Sequence, residues 1–511
     1  MIKARHECGL AALVFPNEHV APYLYRMILA LQHRGQASAG VATIDENNNV
    51  HLHKGIGFVN QVFETRDYEA HKKIIASLKG DIGIGHVRYS TSGKENFDEE
   101  AQPFYRRHSK LWKKFVLALN GQLTNYLKIK GNLEKCEYHF DTSTDTEVIL
   151  CLLSKEIKEK SLLIGDKNPD MYDVVKSLSK ELDGSYNLLV LRGDKELAVI
   201  RDPLGFRPLC YFYDEKERIF AVASESVALN AVGFEITGHV RPGEIIIYKE
   251  GKLEKKIFAE STRRAQCMFE RVYFAHDASN LDEGNVYKIR YDLGAELAKR
   301  LKDKLKLNEL SDYVVIPVPD SGIPAGKAIA DYLEINYEPR ALVKNREVGR
   351  AFIDEKAQRE LKMSSKYILN YELIRNKKVI IVDDSRVRGE TSTKIINFIA
   401  QAKPKEICFA VTCPPIYYPC FYGIDFPTKE ELAASKYKEL KLDDLEIIVS
   451  NEISREISNE TSYKMQIKFV YQSLDGFLNA MKLPKSELCL ACLNGDYPTP
   501  GGFERYLESL S

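Results

Sequence analysis

The chain has 511 residues, of which 44% are hydrophobic and 29% charged, enough for roughly two to four folded domains with polar surfaces. Lys+Arg and Asp+Glu both number 73, a balance that argues against a global affinity for nucleic acid or anionic membranes. The sequence shows neither an apolar run of about 18 residues nor the apolar core of a secretory signal, so we expect a cytoplasmic protein without a membrane span.

The first half of the sequence predicts a layered α+β domain. Strand-like runs are LAALVF, SYNLLVLRG, LAVIRD, IFAVAS and GEIIIYKEG. The segments HVAPYLYRMILALQHR and DTEVILCLLSKEIKEK have helical periodicity, and Asp145 and Thr146 are candidate caps of the second helix. Runs of strands with helices between them are typical of such a domain.

The second half of the sequence predicts a parallel sheet. The buried strand in YVVIPVPDSG is followed by the helix IPAGKAIADYL, and the strand in KKVIIVDDSRVRGETS is followed by the helix TKIINFIAQA, before a third strand, EICFAVT. Ligands of such sheets bind where the strands' carboxyl ends meet the loops. We expect the domain limits to be 8–260 and 261–511, and the charged run after Lys436 to form exposed helical surface.

The stretch VIIVDDSRVRGETS carries the strongest chemical signal of the second half. Asp383 and Asp384 end a buried strand, and a short loop with Gly389 leads into a helix whose first N–H groups can bind an anion. The loop adds charge and hydroxyl groups from Arg388, Thr391 and Ser392. Carboxylates beside a phosphate site can hold sugar hydroxyls or Mg²⁺, so the pattern suits a sugar phosphate; the alternative is a capped helix after an acidic turn.

The motifs VIPVPDSG, VKNREVGRAFI, VDDSRVRGETS and PCFYGID resemble those of the type I phosphoribosyltransferases, and in particular the glutamine phosphoribosylpyrophosphate amidotransferase family. The resemblance implies synthesis of 5-phosphoribosylamine, glutamate and pyrophosphate, the first step of de novo purine synthesis. It implies binding of phosphoribosyl pyrophosphate by Lys344, Asp383, Asp384, Ser385, Arg388, Gly389, Glu390, Thr391 and Ser392. It also implies Mg²⁺ near Ser321, Asp383 and Asp384.

Eight motifs of the first half are similar, in order, to those of the class II glutamine amidotransferases: ECGLAALVF, LQHRGQASAG, GHVRYST, AQPF, LNGQLTN, STDTEV, RDPLGFRPL and ASES. The resemblance implies an N-terminal-nucleophile fold with αββα layers, in which Cys8 attacks glutamine and its own α-amine is the base. An α-amine has a pKa of about 8, which suits proton transfer near neutrality. Cys8 has such an amine only if Met1–Glu7 is removed as a propeptide; the alternative is a buried strand-end cysteine after a harmless extension.

The same resemblance assigns the recognition of glutamine. Arg88 would bind the carboxylate, a bidentate task that suits a guanidinium group, and Asp145 would bind the ammonium. Asn120 and Gly121 would donate hydrogen bonds to the oxyanion that forms when Cys8 attacks.

Departures from the family pattern cluster around the transferase motifs. They are Arg386 and Glu390 in the phosphate loop, AHDAS at 275–279, Glu347, Ala351 and the pair Asp354-Glu355. Glu390 matters most because it puts a carboxylate where an anion should bind. Two alternatives therefore stay open: a paralogue that delivers ammonia to another phosphorylated or activated sugar, and a non-catalytic regulatory homologue.

Cys489 and Cys492 form a C-x-x-C pair that by itself indicates zinc, redox chemistry or chance. One subgroup of the family holds a [4Fe–4S] cluster, and its ligand positions match Cys267, Cys420, Cys489 and Cys492, with Cys413 as a rival for the second. The resemblance further implies purine nucleotides as inhibitors and a homodimer or homotetramer.

Overall fold

The computed structural model describes residues 8–89, 98–261, 263–282, 284–305, 312–345, 366–460 and 465–509. The predicted propeptide Met1–Glu7 and the altered positions Glu347, Ala351, Asp354 and Glu355 lie outside the described residues. Among the described residues, no helix combines the length and the apolar character needed to cross a membrane.

The first half forms two antiparallel sheets with helices outside them. The strands are β1 (Cys8–Val14), β2 (Ser38–Ile44), β3 (Val50–Ile56), β4 (Ile82–Arg88), β5 (Phe104–Arg106), β6 (Phe115–Leu123), β7 (Gly184–Arg192), β8 (Leu197–Arg201), β9 (Cys210–Asp214), β10 (Ile219–Ala223), β11 (Gly238–His239), β12 (Glu244–Lys249) and β13 (Lys252–Ile257). The helices are α1 (Ala21–Ala30), α2 (Val59–Val62), α3 (Tyr68–Ser77), α4 (Tyr126–Lys135), α5 (Asp145–Leu163), α6 (Met171–Leu178) and α7 (Ser226–Asn230). One sheet has the order β11-β9-β10-β1-β4-β2-β3, and the other β13-β12-β8-β7-β6-β5.

Strand β1 shows how the pleat builds the layers. Ala11 and Leu13 point toward α1, whereas Leu10 and Ala12 point toward the second sheet, because successive side chains of a strand face opposite sides. The second sheet contacts β1's sheet on one face and α4, α5 and α6 on the other. This αββα arrangement confirms the predicted N-terminal-nucleophile fold.

The capping prediction for α5 is wrong by one residue. The side chain of Thr144 accepts a hydrogen bond from the N–H of Glu147, so Thr144 is the N-cap and Asp145 is the first helical residue. Three consecutive polar residues, Thr144 to Thr146, are all acceptable caps, and the sequence alone does not choose among them.

The second half contains a parallel sheet and several two-stranded ribbons. The strands are β14 (Gln266–Cys267), β15 (Asn280–Leu281), β16 (Gly284–Asn285), β17 (Tyr313–Pro317), β18 (Asn336–Tyr337), β19 (Leu342–Lys344), β20 (Tyr367–Leu369), β21 (Lys378–Asp383), β22 (Glu406–Val411), β23 (Gln466–Tyr471) and β24 (Leu488–Cys489). The helices are α8 (Val286–Lys304), α9 (Ile323–Leu333), α10 (Glu390–Ala400), α11 (Leu442–Glu460), α12 (Leu474–Met481), α13 (Ala491–Asn494) and α14 (Pro500–Glu508). The parallel sheet has the order β18-β17-β21-β22-β23, so β17 and β21 lie side by side, as the sequence predicts.

The prediction of an exposed helical surface after Lys436 is wrong in part. That run also contains β23, which pairs in parallel with β22 inside the sheet. Helix α11 buries a stripe of Leu445, Val449, Ile453 and Ile457 in the same core. The run is rich in Lys and Glu, so its overall composition hides an apolar stripe that has helical spacing.

Candidate active sites

Cys8 begins β1 and is fully buried. It pairs across the sheet with Arg88, the last residue of β4, so the predicted nucleophile and the predicted carboxylate-binding residue are neighbours. The carbonyl oxygen of Cys8 accepts a hydrogen bond of 2.9 Å from Nε of Arg34. Arg34 belongs to the motif LQHRGQASAG, in which sequence reasoning assigned no role to any residue.

Ser224 links the nucleophile strand to Asn120 in the other sheet. Its Oγ accepts hydrogen bonds from the N–H of Leu10, at 2.9 Å, and from Nδ2 of Asn120, at 3.2 Å. A side-chain amide nitrogen has two hydrogens, so Asn120 keeps a second donor for an oxyanion. Oδ1 of Asn120 is buried and has no partner among the described residues, which leaves the amide oriented by Ser224. Sequence reasoning missed Ser224 although it lies in the motif ASES.

Gly121 could not be another residue without moving the strands. Its φ angle is +151°, in the region that favours glycine, and a Cβ there would lie 2.1 Å from the carbonyl oxygen of Ser185. The glycine therefore lets β6 and β7 approach each other directly beside Asn120.

The two predicted glutamine-binding side chains have protein partners. Nη2 of Arg88 donates a 2.7 Å hydrogen bond to Oε2 of Glu100, whereas Nε of Arg88 is buried and has no partner among the described residues. Oδ2 of Asp145 accepts a hydrogen bond of 3.1 Å from the N–H of Leu123. Glu100, which sequence reasoning did not consider, thus places a carboxylate where the carboxylate of glutamine is expected.

Asp383 and Asp384 lie at the carboxyl end of β21, beside the PVPDSG loop that follows β17. Ser321 of that loop donates a hydrogen bond to Oδ2 of Asp384, and Ser385 donates one to Oδ1. Burial raises the pKa of both carboxyl groups, and the charge of Asp384 raises that of Asp383 further. The two strand-end motifs therefore meet, and among the described residues Lys366 lowers the pKa of Asp383 by less than burial raises it.

The phosphate loop has the predicted shape. Gly389 adopts the left-handed conformation, with φ of +85°, and precedes α10, whose first N–H groups face the loop. Thr391 is exposed, while Oγ of Ser392 donates to the carbonyl oxygen of Gly389. The side chain of Glu390 is 75% exposed and lies 3.5 Å from Nζ of Lys394 along the helix, so its carboxylate points away from the loop.

The two arginines of the loop have separate partners. Arg386 turns inward, where its Nη1 donates to Oη of Tyr471 at 3.3 Å and its guanidinium lies over the ring of Phe469. Arg388 donates hydrogen bonds to Glu431 and to the carbonyl oxygen of Asp425. The role of Arg388 in phosphate binding stays a prediction, because a phosphate would have to compete with Glu431.

Two lysines stand beside the acidic strand end on the ribbon of β19 and β20. Nζ of Lys344 donates a 2.9 Å hydrogen bond to Oδ2 of Asp320 in the PVPDSG loop. Lys366, just before β20, is exposed to solvent, yet the surrounding protein atoms and then Lys344 lower its pKa, and Asp383 and Asp384 raise it in part. No motif singles out Lys366 in the sequence, because it stands in no glycine- or acid-rich stretch.

The altered segment AHDAS contacts both halves of the chain. Asp277 forms an ion pair with Arg290, and Arg290 also donates to the carbonyl oxygens of Arg271 and Ala275. The N–H of His276 and Oγ of Ser279 donate to Oε2 of Glu225, at 2.8 and 2.6 Å. The segment therefore joins the two halves of the chain despite its changed residues.

Cys267, Cys420, Cys489 and Cys492 line one cavity between the two halves. Cys267 and Cys489 are paired residues of the parallel β14–β24 ribbon. Burial raises the pKa of all four thiols, and the neighbouring cysteines raise it further for Cys420, Cys489 and Cys492. The rival Cys413 lies in the core of the parallel sheet and not among the residues lining this cavity.

These residues fit the expected metal groups by their chemistry. Among the described residues, no three histidine, cysteine or carboxylate side chains surround a point that suits a single metal ion. Four thiols around a cavity instead suit a cluster of several atoms, bound as thiolates. Mg²⁺ commonly takes one or two carboxylates and completes its shell with substrate phosphates and water, so the Asp383–Asp384 pair suits it without a protein cage.

Comparison with known proteins gives matches to both halves. Residues 86–231 match the model of the glutamine amidotransferase domain, and residues 284–447 match that of the phosphoribosyl transferase domain. The amidophosphoribosyltransferase of Methanothermobacter thermautotrophicus is 37% identical over 501 residues, which cover 98% of this chain and 96% of that protein. The amidophosphoribosyltransferase of Bacillus subtilis is 34% identical over 96% of this chain and 94% of its own length.

A solved structure has the same architecture. The glutamine phosphoribosylpyrophosphate amidotransferase from B. subtilis, complexed with ADP and GMP, superposes with a TM-score of 0.80 at 32% identity, covering 99% of this chain and 100% of that one. The identity and coverage of these relatives, together with the two domain matches, show that the chain belongs to the amidophosphoribosyltransferase family.

Proposed function

We propose that this chain converts glutamine and phosphoribosyl pyrophosphate to 5-phosphoribosylamine, glutamate and pyrophosphate. The observation that carries the proposal is the bridge at Ser224, which holds the strand of Cys8 and the amide of Asn120 in one site. A thiol nucleophile, an oriented amide donor and a buried arginine are what thioester formation from glutamine requires.

In the glutaminase half, Cys8 attacks the amide of glutamine, and its α-amine takes the thiol proton. The second hydrogen of Asn120 Nδ2 and the N–H of Gly121 stabilise the oxyanion. Arg88 binds the carboxylate of glutamine and Asp145 binds its ammonium, which fixes the amide relative to the thiol. Ammonia leaves, and water then releases glutamate from the thioester.

We predict that the active chain begins at Cys8. Because the base is the α-amine of Cys8, a chain that keeps Met1–Glu7 has an amide nitrogen there and should be at least about 100-fold less active on glutamine. Intact mass spectrometry of active and inactive fractions measures the N-terminus. The control is a chain in which Met1–Glu7 is replaced by a single initiator methionine and mass spectrometry shows that this methionine has been removed. Full activity in a chain proven to retain all seven residues would contradict the prediction.

We predict that Glu100→Gln lowers the KM for glutamine by about two- to five-fold with kcat unchanged, because an ion pair worth up to about 1 kcal/mol no longer competes for Arg88. The pair joins side chains that are only 8% and 14% exposed. Glutamate release at varied glutamine concentrations measures both constants. The matched control is Glu99→Gln, an exposed neighbour. A higher KM in Glu100→Gln would instead make Glu100 part of the glutamine site.

In the transferase half, Asp383 and Asp384 hold the ribose hydroxyls, and the loop from Ser385 to Ser392 binds the 5-phosphate. When bound beside Ser321, Asp383 and Asp384, Mg²⁺ would neutralise the leaving pyrophosphate. Ammonia is already nucleophilic and needs no histidine base, and the chain has none after His276. The outward direction of Glu390 supports this reading over a paralogue with another sugar acceptor, because its carboxylate leaves the loop available.

Several finer points belong to the same proposal. The glutaminase domain comprises residues 8–260 and the transferase domain residues 261–511. A structural [4Fe–4S] cluster is held by Cys267, Cys420, Cys489 and Cys492. The protein is cytoplasmic, forms a homodimer or homotetramer and is inhibited by purine nucleotides; the B. subtilis relative was solved with ADP and GMP.

The test is phosphorus NMR on protein purified without oxygen and supplied with Mg²⁺ and phosphoribosyl pyrophosphate. The proposal requires pyrophosphate to appear when glutamine is added. Glutamate release without pyrophosphate would favour the paralogue with another acceptor, and the absence of both products would favour the regulatory homologue.

A further inference from the structure

A buried chain of charged groups runs from the four-cysteine cavity to Cys8. Arg207 lines the cavity, and its Nη2 donates a 3.1 Å hydrogen bond to the carbonyl oxygen of Tyr422, which also lines it. Nη1 of Arg207 donates to Oε1 of Glu270 at 2.8 Å. Glu270 accepts two further hydrogen bonds from Arg34, at 2.7 and 2.9 Å, and Nε of Arg34 donates to the carbonyl oxygen of Cys8.

The charged chain is closed to water at its arginines and carboxylates, and it also includes His33, whose Nε2 lies 2.8 Å from Oε1 of Glu225. Arg34, Arg207 and Glu270 are each 1% exposed, and Glu225, which accepts a 2.6 Å hydrogen bond from Arg34, is fully buried. Two guanidinium groups thus face two carboxylates. Burial alone would raise the pKa of Glu270, but Arg34 and Arg207 lower it below its ordinary value, so the carboxylate stays charged. Such a network has one well-defined geometry, because any displacement leaves a buried charge unpaired.

The network crosses the boundary between the two halves. Arg34 and Arg207 belong to the glutaminase half, whereas Glu270 and Tyr422 belong to the transferase half. Arg34 donates two hydrogen bonds to Glu270, and its Nε donates a third to the carbonyl oxygen of Cys8. The position of the main chain at Cys8 therefore depends on the position of Glu270. Arg207, itself bound to the carbonyl oxygen of Tyr422, holds Glu270 on the cavity side of the network.

We propose that Arg207 is a positioning residue for the glutaminase reaction, acting through Glu270 and Arg34 on the main chain of Cys8. The inference rests on the proposed function, in which Cys8 is the nucleophile. Arg207 does not belong to the groups assigned to glutamine, which are Arg88, Asp145, Asn120 and Gly121. Its loss should therefore affect the reaction of bound glutamine more than the binding of glutamine.

The test compares Arg207→Met, Glu270→Gln and the double variant with the wild type. We expect each single variant to lower kcat for glutamine hydrolysis by about 10- to 100-fold, the cost of a small misplacement of a nucleophile, with KM changed less than about two-fold. A glutamine analogue carrying a diazoketone should alkylate Cys8 more slowly by a similar factor. Arg207→Lys keeps the charge but cannot reach Glu270 and Tyr422 together, and it covers the case in which Arg207→Met does not fold.

The double variant separates positioning from stability. It removes one positive and one negative charge, so we expect its Tm to recover relative to the single variants while kcat and the alkylation rate stay low. The control is Arg192→Met, which removes another buried arginine, paired with Asp194 and Glu196. It should lower Tm without slowing the alkylation of Cys8. Iron and sulfide content is measured in every variant. Only variants whose content matches the wild type are compared, so that the effect concerns Arg207 itself. Arg207→Lys provides a second variant for this comparison.

The outcomes are distinct. If kcat and alkylation recover together with Tm in the double variant, Arg207 is merely structural and the inference is overturned. Equal alkylation of Cys8 in the wild type and in folded Arg207→Lys or Arg207→Met also overturns it. Failure of the wild type to be alkylated at Cys8 would instead remove the proposed function, because the nucleophile would lie elsewhere.

Discussion

Replacing Cys8 by alanine is expected to abolish pyrophosphate release with glutamine while release with ammonia stays near the wild-type level. Alanine removes the only atom that can form the thioester, and loss of a covalent nucleophile costs about three orders of magnitude or more in rate. The transferase half needs only ammonia, which an ammonium salt at mildly alkaline pH supplies. Phosphorus NMR follows pyrophosphate with each nitrogen donor in turn.

The test of Cys8→Ala needs a second cysteine variant as a control, and two results would contradict the expectation. Cys136 is exposed and has no role in the proposed mechanism, so Cys136→Ala should retain both activities. Loss of the ammonia-dependent reaction in Cys8→Ala would mean that Cys8 supports the transferase half, for example through Arg34 and Glu270. Retention of the glutamine-dependent reaction would identify another nucleophile.

The layers of the fold follow from local patterns in the sequence. Strand β1 is predicted by an apolar run with turn residues after it, and its pleat directs Leu10 and Leu13 to opposite faces of the sheet. Strands β17 and β21 are continuous apolar runs that end in acidic loops. Strand β23 was missed because the run after Lys436 is rich in Lys and Glu, and only its pairing with β22 inside the sheet explains its burial.

Sequence motifs indicate the candidate site residues, but they do not indicate the partners of those residues. Cys8, Arg88 and Asn120 stand in short contiguous motifs, so their sites could be assigned. Ser224 reaches Asn120 across 104 positions of the chain, and Glu270 reaches Arg34 across 236. No local pattern encodes such contacts, and they arise only when the two sheets and the two halves pack.

The direction of a side chain was equally hidden from the sequence. Glu390 occupies the first position of α10, where its backbone can face a phosphate while its side chain points to solvent. From the sequence its charge appeared to oppose anion binding. Glu100 gives the converse case, since nothing local indicated that its carboxylate would contact Arg88.

The substitution Asp383→Asn is expected to reduce pyrophosphate release by about 100- to 1,000-fold with either nitrogen donor, while glutamate release from glutamine alone stays near the wild-type rate. The amide keeps the shape of the carboxylate but loses the charge that a Mg²⁺–pyrophosphate complex requires, a stabilisation typically worth a few kcal/mol of transition-state energy. Asp303→Asn is the control, because Asp303 is exposed on α8. Parallel loss of glutaminase activity would show that the variant disturbs the whole protein.

The same substitution should stabilise the protein when substrate and Mg²⁺ are absent. Burial and the charge of Asp384 raise the pKa of Asp383 well above its ordinary value, so the folded state holds this proton more tightly than the unfolded state. The stability that protonated Asp383 contributes is therefore present below about pH 4, near the pKa of an unfolded aspartate, and is lost as the pH rises toward the raised value. Asparagine cannot ionise, so the Tm advantage of Asp383→Asn over the wild type should grow as the pH rises from about 4 toward the raised pKa of Asp383. A Tm difference that shrinks over this range would mean that the charged carboxylate of Asp383 is stabilised by its surroundings in the folded protein. The two carboxylates at the strand end would then not destabilise the protein in the absence of a cation. A gain in stability together with a loss of transfer is the combination expected where a functional site is maintained at the expense of folding energy.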